Sequence, residues 1–248
     1  MPTQSRAHPV PLLLTRPEPQ AADFARQLGA RFGARVRIIK TPLLAPRFYA
    51  PYLPAGSFAG LILTSQTGVA AYLRLGDAVQ RLPRDVYCVG SRTADAARRA
   101  QLRPISIAQD AASLTAQIKA LSPQGALLHL RGRETRADIT NQLILAGIDT
   151  VDAEIYAQEK QDLTDEAQTI LQDRHPVLVP LFSPRTAIIF AMELTRTGNV
   201  SSLLLAAMSD DVALELRDVA ARIIVADRPD ADAMLDSVAR LLADMQCA

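Results

Sequence analysis

The chain has 248 residues, of which 49% are hydrophobic and 21% are charged, and its formal net charge is +1. This length allows one large domain or two of ordinary size, and the composition is that of a globular protein with well-filled cores. A net charge near zero creates no overall field toward nucleic acid or an anionic membrane, so any anion binding must be local.

Further classes of protein lack support in the sequence. No apolar core of signal-peptide length follows the basic residues near the N-terminus, and no segment approaches the roughly 18 apolar residues that a membrane span needs. The cysteines, Cys88 and Cys247, suit a reducing compartment, and the histidines lack the spacing of metal ligands. We therefore expect a cytoplasmic protein that has no metal centre, does not enter a membrane and does not bind nucleic acid.

Along the chain one pattern recurs: a short apolar segment, a turn rich in Ser, Thr or Gly, and a helical pattern rich in Ala and Leu. Strands are predicted near residues 10–15, 36–40, 61–64, 86–89, 105–107, 126–130, 151–156, 177–181, 203–207 and 223–226. Apolar strands that alternate with helices indicate parallel sheets covered on both faces, so the predicted fold class is α/β. The turns then lie at the carboxyl ends of the strands, where ligands collect in such sheets.

Two segments interrupt this alternation and predict a division into two lobes. Segment 41–47 is rich in proline, which disrupts both helices and strand ladders, and segment 158–162 is polar and irregular after a strand that ends at Tyr156. If the chain crosses between lobes at both, residues 1–40 and 160–248 form one lobe and residues 46–153 the other. Residues 41–45 and 154–159 are then the connections, and a cleft between the lobes is the expected ligand site.

The two lobes are predicted to contain similar halves. The turn at Thr64 precedes the strand from Val86 much as the turn at Ser183 precedes the strand near Leu203. An alternative stays open, because any α/β protein resembles itself at this level of pattern.

Polar residues stand where these predicted helices begin. They are Thr64, Ser65, Ser91, Thr93, Ser183 and Ser209, with Gly90 and Pro184 in the same turns. One interpretation is helix capping alone, since Ser and Thr satisfy unpaired N–H groups and proline suits a first turn. The other is that several helix N-termini around one cleft bind anions through main-chain N–H groups. Repetition around one cleft favours the second interpretation.

Three strand ends carry further candidates. Arg16 follows the first strand, and Arg131, next to Gly132, follows another; an arginine there can clamp a carboxylate with two hydrogen bonds or lie solvated at the surface. Tyr156 ends a strand at a predicted crossing, where its phenol, with a pKa of about 10, would stay protonated and could donate a proton. The alternative for Tyr156 is simple packing with a solvated hydroxyl. No nucleophile elbow, Walker loop or dinucleotide fingerprint occurs.

Taken in order, these motifs resemble the uroporphyrinogen-III synthase family. The residues that carry the resemblance are Thr15-Arg16-Pro17, residues 63–69, residues 89–94, Arg131-Gly132 with Arg136, Leu143, Gly147 and Tyr156, then Phe182-Ser183-Pro184 and Ser209 with Val212-Ala213. Thr67 departs from the pattern, because the family often has Asn there. The resemblance implies two Rossmann-like lobes, each a parallel sheet flanked by helices, joined by a two-stranded connection with the substrate held between the lobes.

The resemblance also implies a reaction. The linear tetrapyrrole hydroxymethylbilane, which carries eight carboxylates, is cyclised to uroporphyrinogen III with inversion of ring D and loss of water, without a metal or other cofactor. This lyase reaction belongs to haem, chlorophyll and cobalamin biosynthesis. A monomer is expected, and transient contact with hydroxymethylbilane synthase is a conceivable route for a labile substrate. The alternative is a non-catalytic two-lobed protein that binds a tetrapyrrole or another polycarboxylate.

The resemblance further implies roles for individual residues. Tyr156 matches the family tyrosine proposed to assist loss of the hydroxyl group. The substrate's acid groups would contact Arg16, Thr64, Ser65, Gly90, Ser91, Thr93, Arg131, Gly132, Ser183, Pro184 and Ser209.

Overall fold

The computed structural model describes residues 8–49, 52–134, 137–173, 175–198, 202–219 and 221–245. Its strands are β1 (Val10–Leu14), β2 (Val36–Lys40), β3 (Leu44–Phe48), β4 (Gly60–Leu63), β5 (Asp85–Val89), β6 (Arg103–Ala108), β7 (Leu127–Gly132), β8 (Thr150–Lys160), β9 (Val177–Leu181), β10 (Leu203–Ala207) and β11 (Ala221–Val225). Its α-helices are α1 (Gln20–Phe32), α2 (Gln66–Tyr72), α3 (Ser91–Arg99), α4 (Ala111–Leu121), α5 (Ile139–Ile144), α6 (Asp165–Gln172), α7 (Pro184–Thr197), α8 (Asp210–Leu214) and α9 (Ala231–Asp244).

The chain divides into two compact units. The first unit holds the residues up to Ala45 and from Lys160 onward, and the second unit is Pro46–Glu159. Sheet order is β11-β10-β9-β1-β2 in one sheet and β3-β8-β7-β4-β5-β6 in the other. The strand pairs β1–β2, β1–β9, β9–β10, β10–β11, β4–β5, β4–β7, β5–β6 and β7–β8 are all parallel. The predicted α/β class is confirmed.

In the first unit, alternate side chains of each strand enter different cores. On β1, Leu12 and Leu14 pack with Phe24 of α1 and Val238 of α9, whereas Leu13 packs on the other side in the cluster that contains α7 residues. A parallel strand buried on both faces needs an unbroken apolar run, because neither face meets water. The continuous apolar segment that predicted β1 follows directly from this requirement.

The second unit is built in the same way. Leu61 and Leu63 of β4 share a core with Val69 of α2, while Ile62 shares the opposite core with Leu114 of α4. Gly60 is required by close packing, because a Cβ atom there would lie 2.9 Å from Cε2 of the Tyr87 ring.

The two sheets share one strand order. In the first unit β9, β10 and β11 are neighbours, β1 follows on the other side of β9, and β2 lies beyond β1. In the second unit β4, β5 and β6 take those places, with β7 beside β4 and β8 beyond β7. From the boundary between β1 and β9, successive strands are added outward in opposite directions, and the same holds at the boundary between β7 and β4. In open α/β sheets, such reversal points are where ligands bind.

Strand β3 corrects one prediction from the sequence. Segment 41–47 was predicted to be irregular because of its prolines, yet Pro46 lies inside β3. β3 is the last strand of its sheet, and an edge strand tolerates proline because one side of its backbone needs no strand partner. The structure therefore adds a strand that proline content had argued against.

Strand β8 corrects a second prediction. The strand was expected to end at Tyr156 but continues to Lys160. Backbone bonds from Gln161 N to Leu43 O (3.0 Å) and from Tyr49 N to Ile155 O (2.9 Å) show that β3 and β8 run in opposite directions. The chain passes between its two units in these neighbouring strands.

Candidate active site

The N-caps of four helices occupy matching positions at the carboxyl ends of strands. These N-caps are Ser65 and Gly90 in the second unit, and Ser183 and Ser209 in the first. Each lies two residues after the last residue that is paired in register between β4 and β5 or between β9 and β10. Two of the predicted capping bonds form: Ser65 Oγ accepts a bond from Gly68 N (2.9 Å), and Ser183 Oγ accepts one from Thr186 N (3.2 Å). The equivalence of the two units therefore extends to their strand-end turns.

The start of α3 differs from the sequence-based expectation. Ser91 and Thr93 were predicted as capping residues, but the N-cap is Gly90, with φ of 79°, and no side chain caps this helix. Ser91 is exposed and Thr93 is buried in the first turn. Ser209 likewise forms no side-chain capping bond to α8. At these turns the side-chain hydroxyls of Ser91 and Ser209 are therefore not engaged in capping.

A bulge between β7 and β8 determines where Tyr156 points. The register pairs Arg131 with Glu154 and then Gly132 with Tyr156, so Ile155 is an additional residue on β8. Ile155 and Tyr156, although consecutive, both pack against the core that β4 shares with α2 and α3. Bulges re-aim side chains in this way and are frequent next to active sites.

Gly132 provides the space for the Tyr156 ring. A Cβ atom at Gly132 would lie 2.7 Å from Cζ, 2.8 Å from Cε2 and 3.0 Å from the hydroxyl oxygen of Tyr156. Real Cβ atoms do not approach other atoms so closely. The glycine is therefore needed for a steric reason that the sequence motif alone did not show.

The Tyr156 hydroxyl meets Ser65. Its oxygen lies 3.0 Å from Ser65 Oγ in a partly buried hydrogen bond. Burial raises the pKa of the Tyr156 phenol above its usual value, the hydrogen bond with Ser65 opposes that rise, and the nearby charge of Glu134 adds to it. The phenol therefore keeps its proton at neutral pH and can act as a donor.

Arg131 lies close to this group but faces its own protein. Its Nε donates to Asp152 Oδ2 (2.8 Å), and its Nη2 lies 3.4 Å from Glu154 Oε1. Its Nη1 donates to the carbonyl oxygens of Gly132 (3.0 Å) and Arg133 (3.3 Å). The predicted carboxylate contact of Arg131 with a substrate stays a prediction, and these internal bonds engage much of the guanidinium.

Asp152 gathers three partners that the sequence interpretation did not single out as a group. Thr140 Oγ1 donates to Asp152, and His129 Nδ1 lies 3.2 Å from Asp152 Oδ1 and 3.0 Å from Thr140 Oγ1. Burial alone would raise the pKa of Asp152, but hydrogen bonds from His129, Thr140 and Arg131 outweigh it and hold the pKa well below the usual range. His129 Nε2 is buried without a hydrogen-bond partner in the described part of the chain.

In the first unit, two predicted site residues meet around one aromatic ring. The Arg16 guanidinium lies 4.0 Å from the centroid of Phe182, the residue that precedes the N-cap Ser183. Phe182 also packs edge-on against Phe24, at a centroid distance of 4.9 Å. A cation over a ring face is attracted by the quadrupole of the ring, so Phe182 holds Arg16 at the end of β9.

The structure thus brings predicted residues together in two groups. Ser65, Gly132 and Tyr156 form one group in the second unit, and Arg16 and Ser183 lie near Phe182 in the first. Arg136 and Cys247, which the sequence had singled out, lie outside the described residues.

The sequence interpretation did not identify His129 and Asp152 as part of the site, because a histidine inside an apolar strand and an isolated acidic residue belong to no motif. The signal that could have identified them was cross-strand pairing, since His129 and Asp152 are directly opposite each other on β7 and β8.

Among the described residues, no group of three or more His, Cys, Asp or Glu side chains has a metal-binding arrangement. None of the helices in that part of the chain is long and apolar enough to cross a membrane.

Comparison with known proteins points to one family. The family model described as uroporphyrinogen-III synthase HemD matches residues 36–236. A crystal structure of uroporphyrinogen-III synthetase from Helicobacter pylori is similar, with a TM-score of 0.64 at 19% identity over 94% of this chain and 99% of that one. A mutant uroporphyrinogen III synthase from Thermus thermophilus gives a TM-score of 0.48 at 14% identity, over 95% and 99% of the two chains. None of the curated proteins compared gives a significant match.

Proposed function

We propose, since the chain belongs to the uroporphyrinogen-III synthase family and is therefore a lyase that cyclises hydroxymethylbilane in tetrapyrrole biosynthesis, that Tyr156 donates the proton to the leaving hydroxyl group. The observation that carries this proposal is the 3.0 Å hydrogen bond between the Tyr156 hydroxyl and Ser65 Oγ. The bond fixes the direction of the phenol at the carboxyl end of β4, beside the reversal point of the sheet. That edge is where ligands bind in this class of fold.

The chemistry needs one proton at the first step. When the ring-A hydroxyl leaves as water, an azafulvene cation remains, and the substituted carbon of ring D then attacks it to form a spiro intermediate. The spiro intermediate fragments at its original bond to ring D and recloses with ring D reversed, and the proton lost when the pyrrole re-forms restores the phenol. The Tyr156 O–H supplies the proton to the departing oxygen, and the resulting phenolate is stabilised by a hydrogen bond from the Ser65 hydroxyl. A well-placed acid contributes about 10²–10⁴-fold in rate.

We further propose that the acid groups of the substrate are held mainly by main-chain N–H groups at the strand-end turns. The proposed contacts are Arg16, Thr64, Ser65, Gly90, Ser91, Thr93, Gly132, Ser183, Pro184 and Ser209; Pro184 has no N–H group and offers only an apolar contact. Helix N-termini bind anions because their first N–H groups have no partner within the helix and carry partial positive charge. Many such contacts order a flexible linear tetrapyrrole, and ordering of reacting groups is itself a large contribution to rate.

Binding spread over many contacts has a consequence for single variants. Replacing Thr64 or Ser183 by Ala leaves the main-chain donors in place, so each change is expected to lower the rate only a few-fold.

The setting of the enzyme is part of the same proposal. We propose that the enzyme is a cytoplasmic monomer that needs no cofactor. One lobe is formed by residues 1–40 with 160–248 and the other by residues 46–153. The enzyme receives its labile substrate by transient contact with hydroxymethylbilane synthase. Sedimentation of the purified protein, alone and mixed with that enzyme, tests the monomer and the contact separately.

The test is a chromatographic assay of uroporphyrinogen isomers made from hydroxymethylbilane. Tyr156→Phe is expected to lower the rate of isomer III formation by about 10²-fold, because it removes the acid and leaves the ring. Free hydroxymethylbilane cyclises spontaneously to isomer I, so the share of isomer I should rise.

Tyr87→Phe is the matched control. Tyr87 is also buried in the second unit, and burial also raises the pKa of its phenol, with the charge of Asp85 adding to the rise. Its variant should keep the normal rate. An unchanged rate in Tyr156→Phe would remove Tyr156 from the mechanism, and isomer I alone from the unaltered protein would indicate a non-catalytic binding protein.

A further inference from the structure

The Arg131 guanidinium joins both sides of the bulge that re-aims Tyr156. On β8 it bonds the carboxylates of Asp152 and Glu154, which lie three residues and one residue before the additional Ile155. On the β7 side its Nη1 donates to the carbonyl oxygens of Gly132 and Arg133, which lie where the strand register shifts. One side chain therefore holds four groups that surround the irregular step.

These bonds lie where the backbone ladder is irregular. A bulge interrupts the regular ladder, so carbonyl groups beside it lose their ordinary strand partners and need other donors. Past the bulge the ladder resumes with a bond from Arg133 N to the carbonyl oxygen of Tyr156 (2.9 Å). The carbonyl groups that Arg131 bonds are therefore adjacent in sequence to the backbone bond that fixes Tyr156.

The surroundings favour an inward role for this charge. The Arg131 side chain is 20% exposed, and its partner Asp152 is itself bonded to Thr140 and lies 3.2 Å from His129 Nδ1. Asp152 is thus held by Thr140 of α5 and His129 of β7 as well as by Arg131. A planar guanidinium can serve carboxylates and carbonyls at once, whereas the point charge of a lysine cannot span them.

We propose that Arg131, held by Asp152, is a positioning residue that fixes the β7–β8 bulge and thereby keeps the Tyr156 hydroxyl on Ser65. Arg131 then acts on the reaction through Tyr156, and this role replaces the substrate contact predicted from the sequence. This inference rests on the proposed role of Tyr156 for its kinetic consequence, but the geometric part can be measured without substrate.

Kinetics give the first test. Arg131→Lys, Arg131→Gln and Asp152→Asn should each lower kcat for isomer III formation by about tenfold with KM changed by less than twofold, as when an interaction made only in the transition state is lost. The double variant Arg131→Gln/Asp152→Asn should be little worse than either single variant, because both remove the same support.

A spectroscopic measurement gives the second test. The chain has five tyrosines, so labelling with 3-fluorotyrosine yields few 19F resonances, and Tyr156→Phe identifies the signal of Tyr156. In the unliganded protein, Arg131→Lys and Asp152→Asn should each shift or broaden that signal. Arg131→Lys keeps the positive charge and Asp152→Asn keeps the side-chain shape, so at least one of them is expected to fold.

Arg103→Gln is the matched control. Arg103 bonds Asp85 across neighbouring strands β6 and β5 of the same sheet, away from the bulge. Its variant should change neither kcat nor the Tyr156 signal.

Two results would overturn the inference. The first is an unmoved Tyr156 resonance in folded Arg131 and Asp152 variants. The second is a raised KM with normal kcat in Arg131→Gln while Asp152→Asn is silent, which would place Arg131 on a substrate carboxylate. If Tyr156→Phe itself proves fully active, the proposed acid fails, whereas the resonance still decides whether Arg131 positions Tyr156.

Discussion

The Tyr156 ring lies against Gly132 in space that only a glycine leaves open. Because an added Cβ would come within 2.7 Å of the Tyr156 ring, Gly132→Ala must displace either the ring or the end of β7. We expect a loss of about 1–3 kcal/mol in the free energy of unfolding, as for other overpacked sites, and at least a tenfold loss of isomer III formation. Urea unfolding and the isomer assay measure the two effects.

Gly29→Ala is the control for this change. Gly29 lies within α1, and a Cβ atom there would meet no atom within 4 Å. Alanine is the better helix former, so this variant should gain about 0.5–1 kcal/mol and keep full activity. Normal activity in Gly132→Ala would contradict the idea that the Tyr156 ring must lie against the backbone of β7.

At the residue scale, the sequence predicted partners but not their arrangement. Ser65 and Tyr156 were both singled out, because one follows an apolar strand and the other matches a family tyrosine. Their contact depends on the additional Ile155, and a bulge has no signature in an alternating pattern of this kind. The internal bonds of Arg131 were equally hidden, since an arginine after a strand looks the same whether it faces a ligand or its own sheet.

At the element scale, Asp152 ties β8 to β7 and to α5. A carboxyl group whose pKa is lowered by folding stabilises the protein above its unfolded pKa, about 4, and this contribution declines as the pH falls below that value. Asp152→Asn should therefore cost about 2 kcal/mol at pH 7, from lost bonds to a charged group, and clearly less at pH 3. Denaturant unfolding at both pH values measures the difference.

Asp77→Asn provides the comparison. Asp77 is exposed and accepts a long hydrogen bond of 3.5 Å from Gln80 Nε2. The free energy of unfolding of Asp77→Asn should equal that of the unaltered protein at both pH values. An Asp152 variant whose deficit is the same at pH 7 and pH 3 would show that the charge of Asp152 does not stabilise this cluster.

Most elements could be predicted because parallel strands buried on both faces leave long apolar runs in the sequence. The exceptions are the two strands in which the chain changes unit. β3 carries Pro46 at a sheet edge and was not predicted, and β8, which was predicted only to Tyr156, continues into the polar residues Glu159 and Lys160. The family resemblance, which rested on the turns after the strands, is confirmed by the family model.

At the scale of the whole molecule, each unit has its own cores. The cluster that contains Leu205 draws its residues from the first unit, and the cluster that contains Leu128 draws its residues from the second. Both side chains are fully buried. Leu128→Ala and Leu205→Ala should each cost about 2–5 kcal/mol and should speed amide hydrogen exchange mainly in the strands of their own unit.

The two variants serve as controls for each other, because the same substitution is made in different cores. Exchange mapped by mass spectrometry should show β4, β5 and β7 affected in Leu128→Ala, and β1, β9 and β10 affected in Leu205→Ala. Equal acceleration throughout both sheets in either variant would indicate one cooperative folding unit.

The position of β1 and β2 beside β9 has a consequence for synthesis on the ribosome. These two strands emerge first, but their neighbour in the sheet is made only after the entire second unit has been translated. Domains generally fold as units during translation. The second unit is therefore complete while β1 and β2 still lack β9, and the apolar side chains of these two strands stay without that sheet partner during this time.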